Sequence, residues 1–129
     1  LAAGTLVICD RFYDSTFAYQ AGGRGLSSDL VNRANALGSC GLVPDLTVLL
    51  DLDPRIAFSR AVAGGADRLE GEGLAFQTRV RDAYRRIAED NPARVRVVDA
   101  SGTVDEVYAR VMGVISEVVP GLRGRVEDV

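Results

Sequence analysis

Asp10 and Arg11 stand side by side at the end of an apolar run, and Phe12-Tyr13-Asp14-Ser15-Thr16-Phe17-Ala18-Tyr19-Gln20 follows directly. A carboxylate such as Asp10 suits a hydrated magnesium ion, and the guanidinium fork of Arg11 matches phosphate oxygens. Ser15, Thr16 and Gln20 add short polar groups able to read a heterocycle. Phe12, Phe17 and Tyr19 add flat surfaces to pack against one. Gly22-Gly23-Arg24-Gly25 comes next. Taken singly, an Asp-Arg pair is ordinary at a strand-to-helix turn with a surface ion pair and aromatic core residues. The whole run is better explained by a nucleotide site.

What the chain lacks narrows the chemistry further. All 15 basic residues are arginine, against 18 acidic ones, for a net charge of −3, and lysine, histidine and tryptophan are absent. That excludes Ser-His-Asp and Cys-His nucleophilic machinery, histidine metal sites, Schiff-base lysines and a phosphate-loop lysine. Slight acidity with scattered arginines speaks against a nucleic-acid partner. Cys9 and Cys40 are the only cysteines, too few for a disulfide framework, and read as reduced thiols of a cytoplasmic protein, Cys9 within an apolar strand. No run reaches the ~18 apolar residues of a membrane span, so no membrane partner is expected. The first residues, Leu1-Ala2-Ala3-Gly4, carry neither methionine nor a basic leader, and the chain is expected to begin in mid-protein.

The elements that must position these groups follow from periodicity. Thr5 to Cys9, Leu46 to Leu50 and Val95 to Asp99 are short apolar runs, read as strands covered on both faces. Helical patterns lie between and after them. Ser28-Asp29 caps one carrying Leu30, Val31, Ala34 and Leu37 and ending near Gly38. Asp53-Pro54 starts another, Leu74 to Ile87 holds Phe76, Val80, Ala83, Tyr84 and Ile87, and Asp105 to Val119 holds Val107, Val111, Val114, Ile115 and Val118. Alternating strands and helices predict a single α/β domain with a mainly parallel sheet and right-handed crossovers. Ligands of such sheets bind beyond the carboxyl ends of the strands, where Asp10-Arg11 and Asp51 fall. Three strands are few for this class, so part of the sheet is expected to be missing. Arg79, Arg81, Arg85 and Arg86 read as a solvated helix face paired with Asp82, Glu89 and Asp90. Asp51 and Asp53 read as a strand exit and a helix cap.

The ordered series resembles the signature of bacterial thymidylate kinases. It comprises Asp10-Arg11-Phe12, Asp14-Ser15, Ala18-Tyr19-Gln20 and Gly23-Arg24-Gly25-Leu26, then Pro44-Asp45-Leu46-Thr47, Leu50-Asp51 and Asp53-Pro54. Asp67-Arg68-Leu69-Glu70, Phe76, Tyr84 and Val98-Asp99-Ala100 complete it. The resemblance spans residues 1 to about 118 and implies a P-loop NTPase-like three-layer fold. It implies transfer of the γ-phosphoryl group of ATP to dTMP, giving dTDP, with Mg2+. Asp10 would then sit near the metal, and Arg11 would hold the acceptor phosphate and assist transfer. Phe12, Ser15, Thr16, Tyr19 and Gln20 would line the thymidine pocket. Thr16 or Gln20 would bond the base, and the Tyr19 ring would crowd the 2′ position of the sugar. Arg24 would be a secondary pocket residue. Arg60, Arg68 and Glu70 would frame a lid over ATP at about 61–70, a stretch whose small residues Ala61 to Ala66 suit opening and closing. The intact enzyme would be a homodimer.

Two departures from that pattern carry expectations. The family's G-x-x-x-x-G-K-[ST] loop, with its strand and helix, is absent, corresponding to about 80–90 residues of a domain of usual size. The chain alone is therefore expected to be inactive, because nothing cradles the β- and γ-phosphates. The stretch between Arg60 and Arg68 also holds no arginine, whereas lids of this family often do. The tail 121–129 carries little apolar periodicity and is expected to be loose. The competing readings are a nucleoside monophosphate kinase of other base specificity and a non-catalytic nucleotide-binding or interaction domain without a P-loop.

Overall fold

Two of the three apolar runs become strands. In the computed structural model, which describes residues 4–63 and 73–119 (backbone only for 60–63), β1 is Thr47–Asp51 and β2 is Val95–Asp99. They pair in parallel, Thr47 opposite Val95 and Asp51 opposite Asp99, so both strands finish in aspartate at one edge. The expected α/β class with a parallel sheet is thus present. The run Thr5 to Cys9 differs from expectation: it is not a strand, and Leu6, Val7 and Ile8 are 59%, 61% and 88% exposed. A strand exists only where a neighbour accepts its ladder bonds, and no described segment pairs with this run. Cys9 therefore lies exposed in irregular backbone rather than in a strand; both cysteines are free thiols.

The helices come close to their sequence signals. A short α1, Tyr13–Thr16, runs straight into a π-helical segment, Phe17–Gly23. The next helix, α2, covers Ser28–Gly38, with Ser27 rather than Ser28 as its cap: the Ser27 hydroxyl accepts from the Leu30 N–H. Its inward position is Val31, whereas Leu30 and Leu37 are exposed, so the expected apolar stripe is narrower than its leucines imply. Helix α3, Pro54–Ala63, starts as expected, the Asp53 carboxylate accepting from the Arg55 N–H. Helix α4 is Gly73–Asp90, and α5 is Val104–Val118 behind a reciprocal Thr103–Glu106 capping box.

The core forms where α4 crosses the strands. Phe76, Val80, Ala83, Ile87 and Ala88 are buried with Ala18 of the π-segment and Val95 of β2. Each large apolar side chain so buried contributes about 1.5–3 kcal/mol. Close approach of the π-segment to α4 requires its glycine pair: a methyl on Gly22 would overlap Ala83, and one on Gly23 would overlap the Phe76 ring. The α4 arginines depart from expectation. Arg81 donates twice across to Asp51, at 2.6 and 2.8 Å, and Arg79 donates to the Gly23 carbonyl at 3.0 Å, so these two tie α4 to other elements. The expected lid 61–70 (Ala61–Ala63 apart from their backbone), Arg68, Glu70 and the tail 121–129 lie outside the described residues. Arg60 is placed in α3 by its backbone alone.

Candidate functional site

Arg11 lies where the irregular run turns into α1, and its backbone takes the left-handed conformation, φ 64°. That conformation costs an L-residue roughly 1–2 kcal/mol, and glycine would adopt it freely. The strained turn projects the Arg11 guanidinium over the Tyr19 ring, 5.5 Å from its centroid. Phe12 follows in extended backbone, its carbonyl accepting from the Ser15 N–H at 3.0 Å. Arg11, Phe12, Tyr13, Ser15 and Thr16 then form one wall of an open concavity of about 410 Å³, closed opposite by α2 through Ala34, Asn35 and Gly38, with Ser39 beyond them. One cation, the Ser15 and Thr16 hydroxyls and the Phe12 and Tyr13 rings thus line one space. Such a lining can hold an anionic group at one end and a flat apolar-edged group beside it.

Three long-range links hold that wall. Asp14 is the one buried charged residue among those described, and Arg94 grips it with two bonds of 2.7 and 2.9 Å. The Thr47 hydroxyl donates to the same carboxylate at 3.2 Å and accepts from Arg94 at 2.9 Å. The hydrogen bonds to Asp14 hold the Arg94 guanidinium above its ordinary pKa, and its plane lies over Tyr13 at 5.6 Å. Tyr84 of α4 donates its phenol to Ser15 Oγ at 2.6 Å, and Asn35 donates to the Tyr13 carbonyl at 3.1 Å. Burial pushes the Tyr84 phenol above its usual range, the Ser15 bond drawing it partly back. At the carboxyl edge of the strands, the Arg81 hydrogen bonds hold Asp51 below the usual carboxylate range against the opposing effect of burial.

The sequence-derived candidates therefore separate into groups. Arg11, Phe12, Ser15 and Thr16 share the concavity, and Tyr19 joins them beneath the Arg11 guanidinium. Tyr19 also meets Phe76 edge-on at 5.9 Å. Gln20 and Arg24 do not line that concavity. Arg24 donates to Gln20 Oε1 at 3.2 Å, and its guanidinium lies 6.0 Å from the Phe76 centroid. Asp10 is exposed, without a hydrogen-bond or ion-pair partner among the described residues. A lone, unshielded carboxylate fits a magnesium ion that keeps most of its waters. Sequence reading missed Asp14, Arg94, Thr47, Tyr84 and Asn35 as parts of the site. Asn35 had a signal, lying one helical turn after the inward Val31; Asp14 had the same signal, one turn before the buried Ala18.

Comparison with known proteins agrees along nearly the whole chain. A family model described as thymidylate kinase matches residues 1–111. The thymidylate kinase of Solidesulfovibrio magneticus is 49% identical over 127 residues, covering 92% of this chain and 61% of that protein. The thymidylate kinase of Rhizorhabdus wittichii is 43% identical over 123 residues, covering 93% of this chain and 59% of its own length. That of Deinococcus radiodurans is 45% identical over 118 residues, with coverages of 91% and 57%. The chain thus spans about three-fifths of the length of these relatives. With the Asp10-Arg11 turn, the parallel strands and this match in hand, the chain belongs to the thymidylate kinase family, whose members have the P-loop NTPase fold.

Proposed function

We propose that the intact protein is an ATP-dependent thymidylate kinase, converting dTMP to dTDP for dTTP synthesis, and that this chain carries its acceptor side. The observation that carries the reading is Arg11, held in a left-handed turn at a concavity it shares with Phe12, Ser15 and Thr16. Phosphoryl transfer is mainly positioning and charge neutralisation, which suits a fixed guanidinium. In this reading Arg11 holds the dTMP phosphate and offsets charge developing during transfer. Phe12, Ser15, Thr16 and Tyr19 receive the nucleoside, and Gln20 and Arg24 close its far side as a pair. Arg60, Arg68 and Glu70 serve the lid over ATP. Asp10 holds hydrated magnesium, which when bound neutralises phosphate charge. The reading includes a homodimer, checked by sedimentation of the intact protein, and a cytoplasmic setting, which two free thiols suit.

The test uses the product of the complete reading frame with ATP and a panel of nucleoside monophosphates. Turnover should be highest with dTMP, and Arg11→Ala should lower kcat/KM for dTMP about 10- to 100-fold, the loss of charge-assisted bonds of roughly 1.5–3 kcal/mol. Preference for another base would favour a sister monophosphate kinase. Binding of dTMP without turnover would favour a non-catalytic nucleotide-binding domain. The 129-residue chain by itself is expected to turn over no ATP, since it holds no lysine to complete a phosphate loop.

A further inference from the structure

Helical hydroxyls usually turn back onto their own helix, and this chain follows the habit in several places. Ser59 donates to the Ile56 carbonyl, Thr78 to the Leu74 carbonyl and Ser116 to the Gly113 carbonyl, each at 2.8 Å. Ser15 behaves differently. Its Oγ is hydrogen-bonded to the Tyr84 phenol at 2.6 Å rather than to a carbonyl of its own helix. A serine oxygen has two lone pairs and one hydrogen. The bond to Tyr84 leaves further hydrogen-bonding capacity on Ser15 Oγ, and Ser15 lines the concavity that also holds Arg11 and Thr16.

Tyr84 is itself well held. It packs against the buried cluster formed by Phe76, Val80, Ala83 and Ile87, on a helix tied to β1 through Arg81 and Asp51. Burial raises its phenol above the ordinary range. We infer that Tyr84 is a positioning residue for the acceptor pocket: its phenol fixes the Ser15 hydroxyl where it can bond a polar atom of the bound nucleotide. This rests on the thymidylate kinase reading above. Tyr84 does not line the concavity and acts through Ser15.

The experiment is a kinetic cycle on the full reading-frame product, with dTMP and ATP varied separately. Tyr84→Phe removes one oxygen and keeps the ring in its packing. It should raise KM for dTMP about 5- to 10-fold, the value of one hydrogen bond, with kcat and KM for ATP within about twofold. Ser15→Ala should give a similar rise, and the double variant should be no worse than Ser15→Ala alone, because both changes remove the same link. A purely structural role would instead disturb kcat and both KM values together. An unchanged KM for dTMP in Tyr84→Phe, or fold-changes that multiply in the double variant, would overturn the inference and leave the kinase reading intact. A wild-type protein that fails to phosphorylate dTMP would remove both.

Discussion

Asp14 and Arg94 offer the sharpest test of how this site is held. Their side chains are only 10% and 15% exposed, and two charge-assisted bonds of 2.7 and 2.9 Å join them. At an effective dielectric of ~20, charges about 4 Å apart attract by about 4 kcal/mol, much of which is offset by the cost of drying both ions. The pair's net worth is thus small, whereas the cost of orphaning either member is large. Arg94→Ala leaves a short buried carboxylate with only the Thr47 hydroxyl, a loss of about 3–4 kcal/mol. Asp14→Ala leaves a long guanidinium that can swing toward solvent while its stem stays packed, so the loss is smaller, about 2 kcal/mol. Thr47→Val removes one shared hydroxyl and costs about 1 kcal/mol. In urea unfolding of the complete reading-frame product, the Asp14/Arg94 double variant should fall short of the summed single losses by at least ~2 kcal/mol. Additive losses, or Asp14→Ala costing as much as Arg94→Ala, would refute the reasoning that burial of an unpaired charge sets these values.

Other expectations follow from backbone and charge. Gly22→Ala should destabilise by about 3 kcal/mol despite the ~1 kcal/mol that alanine brings to a helix, because its methyl meets Ala83 Cβ, which has no rotamer to move. Gly23→Ala should cost somewhat less, since the Phe76 ring it meets can tilt; urea midpoints rank the two. Cys40 occupies the left-handed position after α2, φ 51°, with the Gly41 N–H bonded to the Ala36 carbonyl at 3.1 Å, a role glycine fills better. Cys40→Gly should therefore stabilise by about 0.5–1 kcal/mol, read as a higher urea midpoint at unchanged m. Asp51 titrates below its ordinary range in the folded state, so its contribution is full above the unfolded pKa near 3.8 and is lost as pH falls through the folded value. Asp51→Asn should lower stability at neutral pH and flatten the acid limb of the stability curve by up to one proton, about 1.4 kcal/mol per pH unit.

How much of this was legible depends on whether the signal was local. Pro54 after Asp53 marks a helix start that no distant contact is needed to set, and the structure begins α3 there. The same holds for β1 and β2, whose apolar runs find each other as parallel partners. Thr5 to Cys9 carries a run of equal quality yet is not a strand, because a ladder needs a neighbour and sequence spacing supplies none. The π-segment was hidden for another reason. Its apolar spacing is shared with an α-helix, and i+5 bonds such as that from the Arg24 N–H to the Tyr19 carbonyl distinguish it. The arginines of α4 looked solvated because their partners, Asp51 and the Gly23 carbonyl, lie 30 and 56 residues away.

The site divides along the same line. Residue types at positions 10–20 announce an anion and a planar ligand, since a guanidinium, hydroxyls and aromatic rings within one short run have few other uses together. Which of them face one space is decided elsewhere. Arg94 holds Asp14 across 80 residues, Tyr84 holds Ser15 across 69, and Asn35 holds the Tyr13 carbonyl across 22. Each link grips a different residue of one short helix, so α1 cannot rotate without breaking at least one of them. Four α-helical residues have little stability of their own, and α1 draws its support from the π-segment it runs into and from these bonds. Its orientation, and with it the direction in which Ser15 faces, is therefore set in part by tertiary bonds that end outside the motif. Changes at Arg94 or Tyr84 should accordingly reach the concavity beside Arg11 although neither side chain lines it, and a concavity left unchanged by both would mean that the turn at Arg11 alone sets its shape.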